Sequence, residues 1–227
     1  MPEVAVILVA AGRGRRLGGE IPKQYIPLHG VSSLRRCAEI FLSVEGVGTV
    51  LPVIHPDDAD LCRQALVGLG DERLMAPVNG GETRADSVKN GLEALESMLP
   101  FKVLIHDAAR PFVSDRIIGD VIAALDEIEG AFAALPVVDA LWASDDGEAT
   151  RPVPRDGLWR AQTPQGFDFE RILAAHRTHD GSGADDVAVA REAGMRVRIV
   201  PGSERNFKIT TQADLERALR ELEADAG

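Results

Sequence analysis

Val4-Ala5-Val6-Ile7-Leu8-Val9-Ala10-Ala11-Gly12-Arg13-Gly14-Arg15-Arg16-Leu17-Gly18-Gly19-Glu20-Ile21-Pro22-Lys23-Gln24 passes from an unbroken apolar run into a glycine-rich loop crowded with guanidinium groups and closed by a lysine. A short apolar run rich in β-branched residues, with no polar alternation, reads as a strand buried on both faces, the pattern of a parallel sheet. Glycines let the following backbone turn sharply and bring N–H groups against phosphate oxygens, while Arg and Lys neutralise their charge. Four cations (Arg13, Arg15, Arg16, Lys23) stand against one anion (Glu20), a local balance of +3 in a chain of net charge −11. A polyphosphate site explains this island better than a solvated turn does.

The two commonest phosphate loops do not fit. A P-loop ends in Gly-Lys-Ser/Thr, but Gly19 is followed by Glu20 and Lys23 lies behind a proline. A dinucleotide fingerprint starting at Gly12 and Gly14 needs a glycine where Leu17 stands.

Working outward, apolar runs suited to strands recur at 49–54, 73–78, 102–105, 131–138 and 196–200. Helical patterns at 33–42, 58–69, 84–98, 115–128, 169–176, 187–193 and 212–223 separate most of them. This alternation predicts an α/β fold: a Rossmann-like, doubly wound, mostly parallel sheet whose ligands bind at the carboxyl ends of the strands. Residues 139–165 break the pattern with Pro152, Pro154, Pro164, Gly147 and Gly157, and are expected to form a protruding β-arm. Trp142 and Trp159, the only tryptophans, both fall on it. An isolated arm cannot bury them, so a partner subunit is expected, giving a homodimer.

The 227 residues, 45% of them hydrophobic, suffice for one large domain, taken as 1–227. The acidic balance argues against a general nucleic-acid binder. No run has the length of a membrane span and no signal-peptide pattern is present, so a cytoplasmic enzyme is expected. Cys37 and Cys62 lie far apart in helical patterns and read as reduced, packed thiols.

Two further stretches carry chemistry. Gly80-Gly81-Glu82-Thr83-Arg84-Ala85-Asp86-Ser87-Val88 places a double glycine before a helix start, where backbone donors become available to a ligand, with Thr83 and Asp86 spaced as a capping box. His106-Asp107-Ala108-Ala109-Arg110-Pro111 follows an apolar strand and so falls on the functional edge of the sheet. Read alone, Asp107 could equally cap a turn. Two other features are weak: His176 and His179 lack a fourth group for zinc, and Asp185-Asp186 reads as a helix N-cap.

These segments, together with Arg155-Asp156-Gly157-Leu158-Trp159-Arg160-Ala161-Gln162-Thr163-Pro164-Gln165 and Asn206-Phe207-Lys208-Ile209-Thr210, resemble in order the motifs of the 2-C-methyl-D-erythritol 4-phosphate cytidylyltransferase family. The resemblance implies transfer of CMP from CTP to that polyol phosphate, releasing pyrophosphate, with Mg²⁺ or another divalent cation. It implies catalytic roles for Arg16 and Lys23, and nucleotide contacts at Ala10, Ala11, Gly12, Arg13, Gly14, Arg15, Gly80, Gly81, Glu82, Ser87 and Ala108. Asp107, Arg110, Arg155 and Lys208 would position the substrate, with Asp107 beside the metal and Arg155 reaching a neighbouring subunit. Two departures stand out. Ala140 replaces the family's usual threonine after Asp139, removing a hydroxyl from the substrate pocket, and Glu82 replaces a common Asp near the base. A cytidylyltransferase for another polyol phosphate, such as ribitol 5-phosphate, and a non-catalytic CTP sensor are the rival readings.

Overall fold

The first apolar run has no face to give to water: Val4, Val6 and Leu8 pack into one apolar cluster, and Ala5 and Ile7 into another on the opposite side. The computed structural model describes residues 3–13 and 21–226. In chain order its strands are Val4–Ala10 (β1), Pro27–Leu28 (β2), Val31–Ser32 (β3), Val47–Ile54 (β4), Val78–Asn79 (β5), Lys102–Asp107 (β6), Gly130–Pro136 (β7), Leu141–Asp145 (β8), Glu148–Val153 (β9), Trp159–Asp168 (β10) and Val197–Pro201 (β11). The helices are Ser33–Ser43 (α1), Ala59–Leu66 (α2), Arg84–Leu95 (α3), Asp115–Ala124 (α4), Phe169–Thr178 (α5), Asp186–Glu192 (α6) and Gln212–Ala226 (α7).

Seven strands form one sheet in the order β11-β7-β10-β6-β1-β4-β5. Only β10 runs against its neighbours; the other pairings are parallel. Leu34, Phe41, Ile117 and Val121 bring α1 and α4 onto one face. Val88, Leu92, Ile172 and Val189 bring α3, α5 and α6 onto the other. The expected doubly wound architecture is therefore present, and both cysteines are buried and free, as expected.

Two glycines set how closely the helices approach. A Cβ on Gly91 would lie 2.9 Å from Val53 Cγ2, so α3 sits hard against the sheet, which fixes its amino end at the carboxyl edge of β1. On the other face, a Cβ on Gly166 of β10 would meet Val121 at 2.7 Å and Leu104 at 2.8 Å. Side chains there would force apart elements that pack at near-crystalline density.

Two expectations need correction. The arm is shorter than 139–165: its hairpin is β8 with β9, turned by Asp146 and Gly147 at φ 47° and 84°, the left-handed pair a tight hairpin demands. Residues from Trp159 onward belong to the main sheet, because β6 and β7 both offer unpaired edges that β10 satisfies. Within 73–78, only Val78 joins the sheet as a strand, apart from a single bridge between Val50 and Leu74. The cap expected at Asp185-Asp186 is present: Asp185 accepts from Ala188 N at the start of α6, while Asp186, in its first turn, is buried.

Candidate active site

A cavity of about 750 Å³ opens at the carboxyl ends of β1 and β6, with Ala10, Ala11 and Gly12 on one wall, Glu82 to Arg84 on another, and Asp107 and Lys208 at its base. Among the described residues, Arg13, Lys23, Arg84 and Lys208 face it as cations and Glu82 and Asp107 as anions. Gly14, Arg15 and Arg16 lie outside the described residues.

The loop after β1 is held at its near end by Gln24, whose amide donates to Ala10 O and, at 3.1 Å, to Gly12 O. Gln24 is buried, so this bridge fixes Lys23 relative to the loop. Lys23 Nζ donates to Ile209 O at 2.8 Å, and Ile209 N donates to Ala109 O, lacing the segment that carries Lys208 to the segment that follows β6. Arg13 lines the cavity, yet its guanidinium is pinned by Asp57 at 2.7 Å and Asp58 at 2.9 Å.

The double glycine serves a different purpose from the one its sequence suggests. Gly80 N donates to Ile54 O at 2.7 Å and Gly81 N to Ser87 Oγ at 3.1 Å, so both N–H groups are already satisfied within the chain. What glycine provides is proximity: a Cβ on Gly80 would sit 2.5 Å from Ala11 Cβ, and one on Gly81 would sit 2.3 Å from Asp86 Cβ. Ser87 Oγ also donates to Thr83 O, so its hydroxyl shapes the wall rather than offering a free group. Thr83 and Asp86 form the expected capping box at the start of α3.

His106 and Asp107 end β6, both buried. Burial pushes His106 down to about 4, so the ring is neutral near pH 7. A backbone carbonyl can only accept, so His106 Nε2, 3.1 Å from Arg110 O, carries the proton. Nδ1 then accepts from Thr163 Oγ1 at 3.0 Å, and Thr163 Oγ1 accepts from Asp107 N at 3.1 Å. The result is a one-way chain that orients Asp107 from beneath. Two residues placed in contact with ligands lie below the cavity instead. Ala108 is fully buried, its N donating to Val9 O, and Ala109 lines the cavity in its place. Arg110 turns inward to donate to Asn206 O at 2.7 Å, which ties two substrate-side segments together.

Asp107 is ringed by charge. Lys208 Nζ lies 2.8 Å from its Oδ2, Arg84 Nε 3.2 Å from its Oδ1, and Arg110 Nε 3.9 Å from Oδ2. Burial opposes its ionisation, but Arg84, Lys208 and Arg110 outweigh it and hold the carboxyl well below the usual carboxylate range. Arg84 also meets Asp186 at 2.8 Å. Asp186 in turn lies 3.3 Å from His176, whereas His179 pairs with Glu192, so the two histidines do not share a site. Among the described residues no group of three or more His, Cys, Asp or Glu could hold a metal. A single carboxylate at the base of a cationic pocket suits a hard cation whose other ligands are phosphate oxygens and water.

Arg155 lies on the loop between the arm and β10, exposed, and bonds to Val138 O, outside the cavity of its own chain. Ala140 is exposed at the root of the arm. Gln24, Thr163, Arg84 and Asn206 are the site's supports that sequence reasoning left unassigned. Their signal was position alone, within motifs already quoted.

The sequence pattern of the 2-C-methyl-D-erythritol 4-phosphate cytidylyltransferase family matches residues 4–223. A 2-C-methyl-D-erythritol 4-phosphate cytidylyltransferase of Cereibacter sphaeroides is 48% identical over 223 residues, covering 98% of this chain and 98% of the relative. The bifunctional enzyme IspD/IspF of Paramagnetospirillum magneticum is 50% identical over 219 residues, which are 96% of this chain but 56% of that protein, so the chain spans about half of such relatives. Among solved structures, the 4-diphosphocytidyl-2C-methyl-D-erythritol synthase of Anaerococcus prevotii superposes with a TM-score of 0.83 at 27% identity, covering 97% of this chain and 96% of that one. The 2-C-methyl-D-erythritol 4-phosphate cytidylyltransferase of Thermus thermophilus superposes with a TM-score of 0.77 at 31% identity, covering 98% of this chain and 100% of that one.

Proposed function

Because the chain belongs to the 2-C-methyl-D-erythritol 4-phosphate cytidylyltransferase family, we propose that it transfers CMP from CTP to 2-C-methyl-D-erythritol 4-phosphate, yielding 4-diphosphocytidyl-2-C-methyl-D-erythritol and pyrophosphate. The observation that carries this reading is the cationic cavity at the sheet edge, lined by Lys23, in which Arg84 and Lys208 meet the buried carboxylate of Asp107. An oxygen of the substrate phosphate bonds to the α-phosphorus of CTP as the bond from that phosphorus to the β-phosphate bridging oxygen breaks. Pyrophosphate takes the electron pair, and no covalent protein intermediate forms.

Alignment and charge supply the catalysis. Lys23, fixed by its bond to Ile209 O, offers a preset cation to the phosphates, and Arg16, seven residues earlier in the sequence, joins it in this reading. Lys208 and Arg155 hold the attacking phosphate. Ala10, Ala11, Gly12 and Glu82 surround the nucleotide, with Gly80, Gly81 and Ser87 setting the wall behind it. A bound divalent cation, Mg²⁺ by preference, would neutralise phosphate charge, with Asp107 as the one protein carboxylate placed to hold it.

The arm leaves Trp142 60% and Trp159 45% exposed, together with Val138 and Leu158, an apolar surface suited to a second copy of the chain. In the proposed homodimer, Arg155 serves the partner's cavity. No helix among the described residues is long and apolar enough to cross a membrane, and we place the reaction in the cytoplasm. Pyrophosphate release should require CTP over UTP and ATP, and 2-C-methyl-D-erythritol 4-phosphate over ribitol 5-phosphate. Preference for ribitol 5-phosphate, which the missing hydroxyl at Ala140 would favour, or CTP binding without release, would overturn it.

A further inference from the structure

Arg84 is attached to two carboxylates by one edge of its guanidinium. Nε donates to Asp107 Oδ1 at 3.2 Å, and Nη2 reaches Asp186 Oδ2 at 2.8 Å. Nε and Nη2 form the side-on fork with which arginine ordinarily grips both oxygens of one carboxylate. Here the fork is divided between β6 and α6. The division leaves the second oxygen of Asp107 to Lys208 Nζ, which sits 2.8 Å from Oδ2.

Asp186 is built to hold its half. It is 1% exposed, its backbone N donates to the buried Gln165 Oε1 at 3.1 Å, and His176 stands behind its other oxygen at 3.3 Å. Gln165 Nε2 also donates to Asp185 Oδ2 at 2.8 Å, so the start of α6 is tied to β10 twice. Asp186 does not line the cavity itself.

We infer that Asp186 is a positioning residue: by diverting Nη2 of Arg84 it keeps Asp107 from being chelated, and so holds Lys208 where it meets the polyol phosphate. This rests on the proposed reaction and adds a residue that no contact with substrate would reveal. If the charge at 186 is lost, Arg84 closes its fork on Asp107 and displaces Lys208. Lys208 then loses its fixed place, while the CTP side of the cavity is untouched.

The test uses D186N, D186E, R84K, K208Q and the double variants D186N/K208Q and D186N/R84K. In D186N the KM for the polyol phosphate rises roughly tenfold, the factor of ~1.4 kcal/mol, with the KM for CTP unchanged, and D186E restores it. R84K, whose single ammonium has no fork to close on Asp107, removes the influence of the charge at 186, so D186N/R84K equals R84K alone. K208Q masks the rise too, so D186N/K208Q equals K208Q alone. Equal losses in both KM values and kcat, or penalties that multiply in either double variant, would overturn the inference. Lysine footprinting by mass spectrometry reads the same point without turnover: the Lys208 labelling rate rises about threefold in D186N as its ion pair is lost, and is no higher in D186N/R84K than in R84K. Lys102, paired with Asp126 at the other end of β6, serves as the internal reference. An unchanged Lys208 rate overturns the inference whatever the kinetics, whereas an inactive wild-type chain strikes only at the reaction.

Discussion

Replacing Asp107 by Asn removes the one anion that three cations share. At an effective dielectric of ~20, its attraction to Lys208 at 2.8 Å and Arg84 at 3.2 Å is about 5–6 kcal/mol each before desolvation is counted. The Lys208 contribution is discounted because its side chain is 38% exposed and screened by water. Burial of the carboxylate cancels much of the remainder, and breaking a buried pair by removing one partner typically costs about 3–5 kcal/mol. For a chain of this size each kcal/mol moves the midpoint by roughly 2–4 °C, so Asp107→Asn should lower the Tm by roughly 6–20 °C at pH 7.5. Thermal unfolding by circular dichroism measures it. Inorganic pyrophosphate should raise the Tm of the variant more than that of the wild type, since it supplies the missing negative charge. A variant within about 2 °C of the wild type, or stabilised, would refute the claim that Asp107 holds these cations together.

Three other outcomes follow from the same geometry. Lys23→Ala should cut kcat on the order of a hundredfold with a smaller change in the KM for CTP, measured by pyrophosphate release, because the cation meets charge that grows in the transition state. His106 has its folded value pushed down to about 4, so between there and about 6.5 the unfolded chain binds the extra proton. Stability is therefore greatest above about 6.5 and falls by up to roughly 3 kcal/mol as the pH drops towards 4; in His106→Gln the difference in unfolding midpoint between pH 7 and pH 5 should shrink, and an unchanged difference would remove His106 as the cause. Refolding a mixture of Lys23→Ala and Arg155→Ala chains should restore activity, because one site of each mixed dimer then carries neither lesion; a mixed dimer that stays inactive would place Arg155 in its own subunit's site.

The sheet was legible wherever the chain had no polar face to place. Residues 4–9 and 102–105 could only be buried strands, and the helices between them follow from their apolar stripes. Strand β10 escaped because it contradicts local propensity: Gln162, Pro164 and Gln165, which flank Thr163, are poor candidates for the middle of a sheet. They are buried because partners distant in sequence satisfy them, Ser203 O for Gln162, His106 for Thr163 and Asp185 for Gln165. In the site, Lys23, Asp107 and Lys208 could be named from their motifs. The supports could not, since nothing local distinguishes Asp186 from an ordinary N-cap or assigns Gln24 to Ala10. Nor does a double glycine reveal whether it frees its N–H groups for a ligand or, as here, permits close approach.

The register of β10 slips between Ala161 and Gln165, so the residues around Thr163 are held by side chains and by Asn206 rather than by the regular ladder. Below that slip, Gln165 to Phe167 are clamped by strands on both sides. The arm is thus a detachable module. Its tip at Asp146 and Gly147 can be lengthened, trimmed or exchanged over the course of descent, changing which partner surface it fits, while the alignment of Asp107 within the same chain is inherited unaltered.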